Sequence, residues 1–103
     1  MSQEELKADI CRQALAICRE RRSAVLPQIF SSVENQLVWL ISFFEGKNTE
    51  REKLFKLTFG HYAVREIDPN EKDLISALNK AFYVASKTRQ GLKIDPKELG
   101  SDS

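Results

Sequence analysis

His61, Cys11 and Cys18 are the first side chains to test for covalent chemistry in this 103-residue chain. A nucleophilic mechanism would pair a cysteine or serine with a histidine, and His61 is the one histidine available. Both cysteines fall on what reads as the buried face of a helix, without a dependable base. His61 reads as a structural histidine near the core side of its own helix. Metal chemistry finds no HExxH, no Glu-x-x-His and no Cys-x-x-Cys. The glycines Gly46, Gly60, Gly91 and Gly100 stand singly, and phosphate loops of the GxGxxG or Walker type are missing. Glu50 and Glu52 read as capping and surface groups rather than a paired acid and base. The residues point away from an enzyme, and no catalytic residue, metal or cofactor is expected. Seven residues of helix would hold the cysteine α carbons about 10 Å apart. A disulfide tolerates roughly 7 Å, so two buried free thiols are expected.

Composition narrows the partners. Hydrophobic residues make up 42% and charged residues 30% of the chain, a balance that suits one globular domain. Sixteen Lys and Arg against 15 Asp and Glu leave a formal charge of +1. That argues against nucleic acid, which needs a net basic face to release counterions. No apolar run approaches the roughly 20 residues of a membrane span. The start, Met1-Ser2-Gln3-Glu4-Glu5, is acidic and unlike a signal peptide. A cytoplasmic protein with no membrane partner is the expectation.

Punctuation divides the chain into helices. The first is expected over residues 3–22, with Leu6, Ile10, Ala14 and Ile17 on one face. Glu4 and Glu5 at its start, with Arg19, Arg21 and Arg22 at its end, complement the macrodipole, a structural explanation that competes with an anion site. Pro27 suits the first turn of a second helix. Its stripe is Ile29, Phe30, Val33, Leu37, Leu40, Ile41 and Phe44, and Gly46 is placed to end it. Thr49-Glu50-Arg51-Glu52 reads as a capping box opening a third helix over residues 49–67. Leu54, Leu57, Val64 and Ile67 form its core face. Gly60 inside it points either to close approach of a neighbouring helix or to a kink. Asp68-Pro69-Asn70-Glu71 repeats the capping pattern for a fourth helix to about residue 90. Leu74, Ile75, Leu78, Ala81, Phe82 and Ala85 face inward, and Leu92 and Ile94 fold back beyond Gly91. The expected fold is all-α: a single-domain antiparallel bundle of about four helices over residues 1–96, with a polar, disordered tail at 97–103.

Apolar residues remain after this core is assigned. Phe55, Phe59 and Tyr62 line the side of the third helix opposite Leu57 and Val64, and Trp39 and Phe43 fall outside the stripe of the second. A helix apolar on two sides is either central or carries a contact surface. Burial is the reading for Phe55 and Phe59. Trp39, Tyr62 and Tyr83 suit burial or a binding surface equally, since amphipathic aromatics are enriched at binding hot spots.

The run Leu57-Thr58-Phe59-Gly60-His61-Tyr62-Ala63-Val64-Arg65-Glu66, followed by Asp68-Pro69, resembles the signature of a family of small all-helical immunity proteins. Bacteria make them against type VI secretion toxins. Gln36-Leu37 to Leu40, Ala77-Leu78 through Ala81-Phe82-Tyr83-Val84-Ala85, and Arg89-Gln90-Gly91-Leu92 fit as well. The resemblance covers residues 33–94, and the best-known member neutralises a toxin that hydrolyses NAD and NADP. It implies a non-catalytic inhibitor that binds its cognate toxin domain and occludes the active site. A cleft for an anionic dinucleotide should be partly basic, so Glu66 and Asp68, with Trp39, Tyr62 and Tyr83, are the expected toxin-facing residues. Glu66 could equally form a surface ion pair, and Asp68 could be only the helix cap. A helical adaptor, or a regulator that is a homodimer when free, would use the same aromatic surface on a nontoxic partner.

Overall fold

Four α-helices form in a computed structural model that describes residues 2–94, with the backbone alone at Tyr62, Ala63 and Val64. The tail at 97–103 and its boundary at 96 lie outside the described residues. Helix α1 spans Gln3–Glu20, and its Ser2 cap accepts the Glu5 amide proton at 3.2 Å. Helix α2 spans Pro27–Phe44 with Pro27 at its first position. Short α3 spans Phe59–Arg65 and α4 spans Lys72–Arg89. Gly46 and Gly91 take φ of +83° and +75° just past α2 and α4, where the Lys47 and Leu92 amides donate back to Ser42 and Lys87 carbonyls. No strand occurs among the described residues.

Helix α1 lies between α2 and α4, while α3 packs on α4 and reaches α2. Both ends of the α1–α4 pair are tied. Arg21, at the end of α1, makes a two-pronged bond to Glu71, just before α4, at 2.7 and 2.6 Å. That guanidinium holds the Glu71 carboxyl below its usual range. At the far end Gln3 clasps the Ile94 backbone, accepting its amide proton at 3.0 Å. The two helices therefore run antiparallel.

Being central turns α1 relative to the expected face. Ala8, Cys11, Ala14, Leu15 and Cys18 are buried, whereas Leu6, Ile10 and Ile17 are only half-buried along its α4 side. In α2 the expected stripe is buried apart from half-buried Ile41, and in α4 Leu74, Leu78, Ala81 and Ala85 are buried, with Ile75 and Phe82 half-buried. Ile94 is buried as expected, but Leu92 is 48% exposed.

The third helix differs most from its reading. A 3-10 turn occupies Arg51–Lys56, Leu57 is extended, and the α-helix begins only at Phe59. The Thr49 capping box does not form, and no side chain caps the 3-10 turn. Gln36 of α2 causes the break. Its Oε1 accepts the Thr58 and Phe59 amide protons at 2.7 and 3.1 Å, capping α3 from a different helix. With three residues per turn, Phe55 is carried outward: it is 66% exposed beneath the Arg89 guanidinium, not buried. His61 is likewise exposed rather than core-facing. Asp68 does not cap α4. Its carboxylate accepts the Asn70 amide proton at 2.8 Å, closing a turn that delays the helix to Lys72.

Gly60 meets its neighbour as one of its two readings required. A Cβ there would stand 2.5 Å from Cγ of Phe82, the root of the ring rather than a movable tip. Gly60→Ala gains helix propensity yet should lose about 1–3 kcal/mol net through overpacking, read from the urea midpoint. A stabilised variant would mean that Phe82 moves freely.

Candidate functional site

The end of the bundle where α1 gives way to α2 carries a broad concavity. Val25 in the 22–27 connection and Ile67 in the turn after α3 are buried, and residues of both loops line one cleft. Around these anchors the Glu66 and Asp68 carboxylates face a cleft of about 980 Å³, with Glu20, Leu26, Pro27 and Arg22 on its other walls. Leu26 is 52% exposed. Glu20, Glu66 and Asp68 form no ion pair among the described residues. Arg22 stacks on the Phe30 ring at 4.9 Å. The cleft thus offers three carboxylates and an apolar wall against one engaged guanidinium.

Glu20 also borders a second concavity. This groove of about 560 Å³ runs between α1 and α4, floored by Ala14 and Ala77 and walled by Leu6, Ile10 and Ile17. The two hollows have Glu20 in common.

The five residues singled out from sequence separate in space. Glu66 and Asp68 come together in the cleft. Tyr83 is half-buried on α4, with the Lys87 ammonium 5.6 Å from its ring centre. It shares the Ser76 and Lys80 face of that helix by spacing. Trp39 is half-buried on α2, stacked on Phe43 at 5.3 Å and covered by Lys53. It packs against the 51–56 turn and lines neither concavity. The Tyr62 side chain lies outside the described residues. Sequence reasoning missed Glu20, Leu26 and the groove wall. An apolar residue ahead of a helix-opening proline was the signal for Leu26. For the groove it was an α1 too apolar for one face.

The arginines at the end of α1 are engaged internally. Arg19 bonds Glu34 at 2.9 Å, Arg21 bonds Glu71, and Arg22 covers Phe30. Cys11 and Cys18 are buried free thiols, and burial pushes them up to about 12 and about 11. Both should resist alkylation at neutral pH until the chain unfolds. The unfolded chain loses these protons from about pH 8.5 while the folded chain keeps them. Stability should therefore fall as pH rises through that window, visible as a declining melting temperature. A flat profile would contradict the burial.

Among the described residues no group of three or more His, Cys, Asp or Glu is placed to hold a metal ion. None of their helices is long and apolar enough to cross a membrane. The arrangement has the means to grip a protein surface that is basic at one point and apolar beside it.

Comparison with known proteins agrees. The family model Tsi6 matches residues 6–87. The immune protein Tsi6 of Pseudomonas aeruginosa is 37% identical over 68 residues, covering 66% of this chain and 72% of that protein. No solved structure matches. Because the matched segment takes in part or all of every helix and both walls of the cleft, the chain belongs to the Tsi6 family of type VI secretion immunity proteins.

Proposed function

We propose that this protein works in the cytoplasm by binding the catalytic domain of its cognate effector, covering that domain's active site, and that the effector acts on NAD or NADP. The observation that supports this reading is the acidic cleft with its exposed leucine at the end of a packed bundle. An active site for an anionic dinucleotide presents cations, and Glu20, Glu66 and Asp68 are spare partners for them. Leu26 supplies apolar contact on the cleft wall, where desolvation strengthens each charge pair. A packed scaffold avoids the entropy of ordering a loop on binding. Tyr83, and Tyr62 at the middle of α3, are the proposed flanking contacts, while Trp39 packs against the 51–56 turn. Inhibition by coverage needs no catalytic group in this chain.

Co-expression with the effector domain encoded beside its gene tests the reading. Survival together with a stable one-to-one complex is expected. Survival without a complex would replace binding by indirect rescue, and death despite good expression would reject immunity toward that effector.

A further inference from the structure

We infer that the groove between α1 and α4 receives an amphipathic helix of the effector, which bears a cation and an anion about two turns apart. This rests on the immunity reading and adds a second contact beyond the active-site cleft. The groove follows two antiparallel helices, so its walls are straight. Leu6 to Ile17 spans about 16 Å of α1, the length of three helical turns. Its floor is Ala14 and Ala77, small enough for another backbone to approach closely. Leu6, Ile10 and Ile17 remain half-exposed although they sit in the middle of the fold. Such a groove between helices is filled by side chains at i, i+3 or i+4, and i+7 of an incoming helix.

The rim charges select the occupant. Glu20 and Asp73 stand together at one end, and Lys80 follows two turns along α4. Arg21, beside them, is committed to Glu71. Glu20 and Lys80 have no ion-pair partner among the described residues, and Asp73 has only the longer-range field of Arg21. Seven residues of α4 separate Asp73 from Lys80, about 10 Å along the axis. An incoming helix with Lys or Arg at one end of its apolar face and Asp or Glu seven residues away would satisfy both. A second copy of this chain complements the rim less well. Lys80 lies opposite the middle of α1, so a two-fold axis there would bring two lysines together.

The test uses the full-length protein and its cognate effector polypeptide. Asp73→Lys and Lys80→Glu should each weaken the complex about tenfold, as charge reversals at a partly desolvated rim do. Melting temperatures of the free variants check that folding survives. Gln13→Cys, an exposed groove position, should be alkylated freely in the isolated protein and protected in the complex. Unchanged affinity of the rim variants, with Gln13→Cys still reactive in the complex, would overturn the groove contact and leave the cleft reading standing. Protection of Gln13→Cys without effector, with a mass that rises with concentration, would make a second copy the occupant and overturn it too. Failure of the unaltered protein to bind the effector would remove the immunity reading and this inference together.

Discussion

Reversing both carboxylates of the cleft, Glu66→Lys with Asp68→Lys, should weaken the effector complex by about 100-fold or more while leaving the fold nearly intact. Glu66 is exposed, and its side chain makes no hydrogen bond or ion pair among the described residues. Asp68 gives up one local bond to the Asn70 amide, at the surface. The internal cost is therefore small, and the effect falls on the partner. Each lysine would stand where the proposed interface sets an effector cation, so attraction becomes repulsion there. Single reversals should cost about tenfold each, chiefly in association rate, and should flatten its dependence on salt. Calorimetry and stopped-flow mixing measure both quantities. Affinity within about twofold of the unaltered protein would remove the cleft from the interface.

Phe59→Ala should cost about 3–5 kcal/mol of folding stability. Phe59 is fully buried and meets Phe82 edge-on at 5.3 Å, so truncation leaves a cavity and strips a ring contact together. Against a total stability of roughly 5–15 kcal/mol, that loss removes at least about a fifth of what holds the fold. The consequence reaches the site, because α3 ends at Arg65 and the cleft carboxylates follow it directly. Urea unfolding gives the stability, and effector binding by the residual folded fraction gives the coupling. A loss below about 1 kcal/mol would show that α3 is not integral to the core.

The helices with strong punctuation were legible in the residues. Pro27 at a helix start, and Gly46 and Gly91 beyond helix ends, are local signals whose effects stay local. The third helix was not legible, because its break is written in Gln36, over twenty positions away on α2. No periodicity within residues 49–67 reports that bond. Phe55 and His61 were misplaced for the same reason, since the 3-10 turn and the break reset every face in the segment. Asp68 shows a subtler limit: the capping pattern and an Asx turn use the same residues, and tertiary packing chose the turn. Of the candidate site, Glu66 and Asp68 were readable through the family resemblance. Glu20 and Leu26 became partners of the cleft only when the 22–27 loop settled beside the turn after α3. Spacing along one helix cannot show a hollow made by two loops.

Inhibition in the proposed reading is direct coverage of an active site. Its most direct test is to titrate the cognate effector's catalytic domain with this purified protein while following consumption of NAD and NADP. Activity should fall linearly to zero at one equivalent, with high dinucleotide concentrations slowing formation of the inhibited complex. Full dinucleotide consumption at saturating protein, or tight inhibition indifferent to dinucleotide concentration, would contradict it.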